Sequence, residues 1–262
     1  MKTLAVIPAR YASTRFPGKP LALLGCKPVI QWVWERVHEA PGIDEAVVAT
    51  DDRRIAQAVE VFGGRALMTS DRHRSGTDRC AEAAERLERE GRRFDVVINV
   101  QGDEPFVRPD QLRTLIGCFA APEVEIATLK CLIASAEELL SPNNVKVVCS
   151  TRGDALYFSR QPIPHLRGEE PERWAESQDY YKHVGIYAFR REVLRRVAAM
   201  APAALERSES LEQLRWLCNG CRIRVVETQS ANIGIDTPAD LVEAERVLLG
   251  SVVNPGSKVF QD

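Results

Sequence analysis

The sequence predicts an α/β fold: a mainly parallel central sheet flanked by helices, with a smaller hairpin-bearing lobe. Three observations carry this. The chain opens on an apolar run, Leu4 to Ile7, that reads as a buried strand ending at Pro8. Strand-like runs and helical periodicities then alternate from Val29 to Phe119. From Asn144 the character changes: Lys146–Ser150 and Ala155–Ser159 flank a Thr-Arg-Gly-Asp turn, the pattern of a β-hairpin. We expect a single domain over residues 1–262, with a subsidiary lobe at about 144–220. A chain of this length buries a sizeable core.

Strand one spans Lys2 to Ile7, and the loop after it carries Arg10, Arg15 and Lys19, with a tight turn at Pro17-Gly18. Guanidinium forks bind phosphate oxygens in pairs and an ammonium adds a point charge, so this loop suits a triphosphate. It lies at the carboxyl end of the first strand, where open α/β sheets bind ligands. Val29–Glu39 repeats its apolar residues at helical spacing, and Glu45–Thr50 is a second strand. Asp51 and Asp52 read as caps of a helix over Arg53–Phe62 in preference to metal ligands. A short strand, Ala66–Thr69, precedes a helix over Cys80–Glu90. Ser75 and Asp78 resemble a capping box there, with free amides able to receive a polar ligand.

Asp95–Val100 is a strongly apolar strand that ends in Gln101-Gly102-Asp103-Glu104-Pro105. A carboxylate at a central strand's tip, beside a glycine that admits close approach, is a place for a divalent cation, although Asp103 taken alone is more often a turn or cap residue. Pro109 opens a helix to Phe119, Glu125–Ile133 is a strand, and Ser135 caps a short helix. Gln161–Gln178 reads as an exposed loop. His183–Phe189 is a strand leading to a helix that ends near Met200. Glu206–Cys218 reads as one helix with Leu211, Leu214 and Leu217 inward, and Arg222–Glu227 as a strand. Thr237, Pro238 and Asp240 supply the start of a last helix, Leu241–Leu249, which leaves Asp236 free of capping and makes it a better metal candidate than Asp51. The tail from Ser251 is expected to fray.

The charge balance is −2, with 45% apolar and 27% charged residues, so nothing points to a nucleic-acid partner or a membrane surface. No apolar run approaches the roughly 18 residues of a membrane span, and a cytoplasmic protein is expected. The seven cysteines are odd in number and read as reduced core thiols. Cys218 and Cys221 form a lone C-x-x-C that cannot complete a structural zinc site. Dinucleotide, P-loop and serine-hydrolase fingerprints are missing. A cation-lined loop and two strand-end aspartates suit nucleotidyl transfer from a nucleoside triphosphate, where positioning and charge neutralisation do the catalysis.

The run Ile7-Pro-Ala-Arg-Tyr-Ala-Ser-Thr-Arg-Phe-Pro-Gly-Lys-Pro-Leu21 resembles the opening of the 3-deoxy-manno-octulosonate (Kdo) cytidylyltransferases. The likeness continues through Ala49–Asp52, Met68–Ser70, His73–Arg79, Asn99–Pro105, Ala155–Arg160, His183–Tyr187, Leu211–Arg215 and Gly234–Pro238. It covers nearly the whole chain in order. The opening motif is shared in part with CMP-sialate synthetases, and the later motifs are more specific. Phe16 and Phe189 depart from it mildly, at positions where the family more often has Leu and Tyr. The resemblance implies a nucleotide-diphospho-sugar transferase-like fold and a reaction in which CTP and Kdo give CMP-Kdo and pyrophosphate, with Mg²⁺. It implies that Arg10, Arg15 and Lys19 hold the triphosphate, that Ala9 and Arg10 lie near cytosine by their backbone, and that Ser75 and Gly76 complete the base pocket. Asp103 and Asp236 would be the metal ligands; two ions about 3.5–4 Å apart suit the chemistry. Arg79, Gln101, His183, Tyr187, Glu212 and Gln213 match sugar-contacting positions. On residues alone, His183 and Tyr187 read as a core histidine and an aromatic filler on one strand face. The hairpin from Asn144 to Pro164 resembles the family's dimer-forming region, a resemblance that implies a homodimer. A cytidylyltransferase for another acidic sugar, sialic acid or an 8-amino Kdo analogue, and a non-catalytic nucleotide-binding regulator remain alternatives.

Overall fold

The apolar opening folds as β1 (Thr3–Ala9), whose residues from Thr3 to Ile7 are fully buried. The computed structural model describes residues 1–229 and 232–253. The chain forms two compact units, Met1–Ile116 with the segment from Asn232 onward, and Gly117–Ala231.

In the first unit a short hairpin, β2 (Leu23–Leu24) and β3 (Lys27–Pro28), leads into α1 (Val29–Glu39). There follow β4 (Glu45–Thr50), α2 (Arg53–Val61), β5 (Ala66–Met68), α3 (Gly76–Arg89), β6 (Val96–Asn99) and α4 (Pro109–Cys118). The sheet runs β6-β1-β4-β5 with every pair parallel, the geometry expected when helices form the crossovers. β1 continues through Pro8 to Ala9, two residues beyond the expected stop. Its pairing with β6 ends at Val6, so Pro8 lies where the strand has one neighbour and a missing N–H is tolerated. α3 starts at Gly76, four residues before the expected Cys80, because the Ser75–Asp78 capping box fixes its first turn.

The second unit comprises β7 (Ile126–Leu132), α5 (Ala136–Leu140), β8 (Lys146–Cys149), β9 (Ala155–Ser159), α6 (Trp174–Ser177), β10 (Tyr181–Arg190), α7 (Arg191–Ala198), α8 (Ala204–Glu209), α9 (Gln213–Cys218) and β11 (Ile223–Thr228). β11 runs parallel to β7; β7–β10 and β8–β9 are antiparallel, the last being the expected hairpin.

Two expectations are corrected here. Residues 161–178 are not a bare loop: a 3₁₀ turn and α6 bury Trp174 with Ile133, Leu139 and Tyr180, and the Trp174 indole N–H donates to the Glu169 carbonyl at 2.9 Å. The helix expected over 206–218 is two, broken at Ser210, which takes a left-handed conformation with φ 54°. Arg160 and Ser159 hold that break: Arg160 Nε donates to the Glu209 carbonyl at 2.7 Å and Ser159 Oγ to its carboxylate at 2.7 Å. Leu211 and Leu214 are buried as expected, but so are Gln213 and Trp216, and Leu217 is only half-buried.

Returning to the first unit, the chain ends its described part in α10 (Pro238–Val253), boxed by Thr237 and Asp240. This helix outruns the expected Leu249, and the remainder of the tail expected to fray lies outside the described residues. None of the seven cysteines is in a disulfide; Cys80, Cys131 and Cys221 are buried, while Cys26 and Cys218 are exposed and so are not core thiols.

Candidate active site

The first unit holds a cleft of about 260 Å³ at the carboxyl ends of β1 and β6 and the start of α3. Pro8, Ala9 and Arg10 line it from β1 and its continuation, Arg15 and Lys19 from the following loop, Ser75, Gly76 and Arg79 from α3, and Gln101, Gly102 and Asp103 from beyond β6. Asp236 enters from the segment before α10.

Local backbone chemistry explains this convergence. Gly18 adopts φ +73°, and its N–H closes the cationic loop on the Tyr11 carbonyl at 2.9 Å. Gly102 lets the loop after β6 pass against β1, since a Cβ there would lie 2.8 Å from the Pro8 carbonyl oxygen. Asp103 and Asp236 are brought together by a backbone bond, Ile235 N–H to the Asp103 carbonyl at 2.8 Å. Ile235 is itself buried with Leu24, Val29, Phe106 and Ala244, and Phe16 packs against this cluster.

The charges interlock. Lys19 Nζ contacts an Asp103 carboxylate oxygen and lies 3.0 Å from Asp236 Oδ1, while Arg15 reaches Asp236 Oδ2 at 2.9 Å. Burial alone would push the Lys19 ammonium down, but the two carboxylates outweigh it and its pKa lies above the ordinary value. The two acid groups therefore converge on one ammonium. Among the described residues, no cluster of three or more metal-ligating side chains occurs, so protein would supply two carboxylates only. Beside them, burial pushes the Glu104 carboxyl up to about 7; the amide of Asn232, which donates at 2.8 Å, opposes this, and the neighbouring aspartate charges add to it. Asp236 has no capping duty, as expected: that role falls to Thr237 and Asp240.

Arg10 is exposed and points no ion pair at another described residue. Arg79 is 3% exposed and its guanidinium is already held by Asp51 at 2.9 Å, Thr69 at 2.6 Å and the Ser70 carbonyl at 3.3 Å. It braces the cleft wall, and the partner of Asp51 is thereby explained. Gln101 Nε2 lies 3.3 Å from Asn99 Oδ1. Sequence reasoning did not single out Ser13, Thr14, His73 and Arg74, which also line the cleft. Their signal was position: each is in the same two loops as a residue that was chosen.

His183, Tyr187, Glu212 and Gln213 lie on the second unit. A register shift in β10 between Val184 and Tyr187 interrupts strict alternation, yet the two rings stand 5.2 Å apart. Thr128 Oγ1 is 2.8 Å from the Ile186 carbonyl and 2.8 Å from His183 Nε2. With the hydroxyl proton directed to the carbonyl, His183 Nε2–H donates to Thr128 Oγ1. Burial pushes the His183 pKa down to about 3. The Tyr187 phenol is pushed well up by burial and then by the charge of Glu212, and its hydroxyl has no hydrogen-bond partner among the described residues. Trp216, at 4.9 Å from the Tyr187 ring, likewise leaves its indole N–H without one.

Comparison with known proteins matches residues 4–223 to the family "Cytidylyltransferase". A 3-deoxy-manno-octulosonate cytidylyltransferase of Parabacteroides distasonis is 50% identical over 248 residues, covering 93% of this chain and 97% of its own. One from Bacteroides thetaiotaomicron is 52% identical over 251 residues, covering 95% and 98%. A solved structure of a CMP:2-keto-3-deoxy-manno-octonic acid synthetase complexed with CTP superposes with a TM-score of 0.88 at 46% identity, covering 96% of this chain and 100% of that one.

Proposed function

We propose, for a chain that belongs to the cytidylyltransferase family, that it transfers CMP from CTP to 3-deoxy-manno-octulosonate, releasing pyrophosphate and supplying CMP-Kdo for lipopolysaccharide assembly. The observation that carries the reading is the meeting of Lys19 and Arg15 with Asp103 and Asp236 in one cleft. In the reaction the anomeric hydroxyl oxygen of the sugar bonds to the α-phosphorus, the bond from that phosphorus to the bridging oxygen breaks, and pyrophosphate leaves with that oxygen.

The chain's own groups divide the work. Arg10, Arg15 and Lys19 bind the triphosphate and hold the leaving pyrophosphate's charge, as fixed cations do best in a partly desolvated site. Ala9, Arg10, Ser75 and Gly76 face the nucleoside. Asp103 and Asp236 would hold Mg²⁺; when bound, it neutralises phosphate charge and lowers the pKa of the attacking hydroxyl. Gln101, His183, Tyr187, Glu212 and Gln213 serve the sugar's carboxylate and hydroxyls, while Arg79, whose guanidinium is held by Asp51, Thr69 and the Ser70 carbonyl, shapes the cleft wall. The unpartnered Tyr187 hydroxyl supports this, since a buried phenol without a partner is costly unless a ligand or water satisfies it.

The same reading makes the protein a cytoplasmic homodimer. Exposed Leu156 on β9 and exposed Leu132 on β7 support association of the second unit with a copy of itself. No helix among the described residues is long and apolar enough to cross a membrane.

The test is pyrophosphate release from CTP and Mg²⁺ with a panel of acidic sugars: Kdo, its 8-amino analogue and sialic acid. Turnover highest with Kdo is expected. No turnover with Kdo rejects the assignment, and preference for another member of the panel reassigns the sugar. Light scattering on the purified chain tests the dimer, and a mass of one chain rejects it.

A further inference from the structure

The cationic loop is tied to the rest of the first unit at a point outside the cleft. Residues 10–18 form no strand or helix, and the loop reaches a 3₁₀ turn only at Lys19–Leu21. Tyr11 closes it: its carbonyl accepts the Gly18 N–H at 2.9 Å, and its ring lies so near this glycine that a Cβ there would meet it at 3.0 Å. Arg54 lies over the same ring, its guanidinium carbon 3.4 Å from the centroid. That guanidinium is fixed in turn by a fork to Asp52, Nε to Oδ1 at 3.0 Å and Nη2 to Oδ2 at 2.6 Å. Asp52 also caps α2, accepting the Arg54 N–H at 2.8 Å, so the stack stands on a helix terminus.

Neither Tyr11 nor Arg54 lines the cleft, whereas Arg10, Arg15 and Lys19 of the same loop do. Cations on an unfixed loop give up affinity, because ordering the loop on binding is set against the contacts made. Arginine suits the holding role as lysine does not. Its planar guanidinium stacks on an aromatic face while receiving a carboxylate fork. We propose that Arg54 is a positioning residue: fixed by Asp52 and laid on Tyr11, it holds the cationic loop ready for a triphosphate that it does not itself touch.

The inference rests on the cleft being a CTP site, and two readouts keep the two apart. The full-length wild type, Tyr11→Phe, Tyr11→Leu, Arg54→Lys, Asp52→Asn and the double variant Tyr11→Leu with Arg54→Lys are titrated calorimetrically with CTP. Arg54 is exposed and Tyr11 half-buried, so these changes spare the core, and thermal melting checks each fold. The same proteins without nucleotide are treated with trypsin, which reads the clamp by cutting after Arg10 and Arg15, the products being assigned by mass. Arg54→Lys keeps the charge and loses the fork, and is expected to weaken CTP about two- to fivefold, the scale of one exposed cation–π contact. Asp52→Asn, which still caps α2, is expected to weaken CTP in the same direction. Tyr11→Phe should match the wild type in both readouts, and Tyr11→Leu should follow Arg54→Lys. The double variant should be no worse than the weaker single one, because both remove one contact. Faster cutting within the loop should accompany each loss of affinity. CTP affinity unchanged in Arg54→Lys, or losses that add in the double variant, overturns the positioning role. Loop cutting at the wild-type rate in Arg54→Lys and Tyr11→Leu overturns the clamp. Failure of the wild type to bind CTP overturns the reading of the cleft and the triphosphate role with it, while the trypsin rates still decide the clamp.

Discussion

The ammonium of Lys19 rests against the carboxylate of Asp103 across 84 residues of sequence, and the same ammonium spans to Asp236. The cationic loop after β1 is thus also the counter-ion of the acid pair. Lys19→Met should leave Asp103 and Asp236 with Arg15 alone to offset their repulsion. We expect its melting temperature to fall at low ionic strength and to rise more with added Mg²⁺ than that of the wild type. Scanning fluorimetry with and without MgCl₂ reads this, and equal shifts in both proteins would contradict it.

Asp103→Asn and Asp236→Asn keep shape and remove charge. Each should lower kcat by about 10²–10³-fold, the usual scale for losing a group that stabilises transition-state charge. Circular dichroism should stay that of the wild type. A variant that keeps full activity would remove its aspartate from the metal assignment.

The neutral imidazole of His183 couples stability to pH. Its folded pKa of about 3 lies below the unfolded value of 6.5. The contribution is complete above pH 6.5 and is lost as pH falls through about 3, by up to ~1.4 kcal/mol per pH unit within the window. His183→Asn should flatten the fall of the urea midpoint between pH 7 and pH 4. Parallel curves for the two proteins would show that another group controls the loss.

Gly102→Ala puts a methyl 2.8 Å from the Pro8 carbonyl oxygen, where only backbone can yield. We expect a loss of about 1–3 kcal/mol in stability, the range for overpacking. A raised KM for CTP should accompany it, because the shift moves Asp103. Denaturant titration and steady-state kinetics check both, and a neutral result in each would mean the loop has slack there.

Trp174→Ala should cost about 3–5 kcal/mol, as for a buried aromatic, although the segment reads as a loop. Urea unfolding decides between core and loop, the latter predicting no more than a few tenths of a kcal/mol.

Trp174 also shows where sequence reading stopped. Its neighbours from Gln161 to Gln178 are polar and proline-bearing, so one buried ring gives no period to detect, and its partners Ile133 and Leu139 come from elsewhere in the chain while Tyr180 lies just past the segment. The break at Ser210 escaped notice for a related reason. A left-handed serine has no local signature, and the bonds holding it arrive from Ser159 and Arg160, about 50 residues away. Where local rules decide, the reading is close: α1 and β4 fall on their expected bounds, and the Ser75 and Thr237 boxes start their helices. In the cleft, Arg15, Lys19, Asp103 and Asp236 were legible because charges at strand ends have few structural reasons to be there. The bond of His73 to Glu82 was not, since nine residues along a loop and helix make no recognisable spacing.

The hydrogen bond between Ile235 and Asp103 carries an implication for synthesis. A ribosome that has finished the second unit has made a protein with the cationic loop and one acid group but not the other. The missing carboxylate arrives on the stretch that returns to the first unit, so the acid pair is incomplete until the segment before the closing helix has been made.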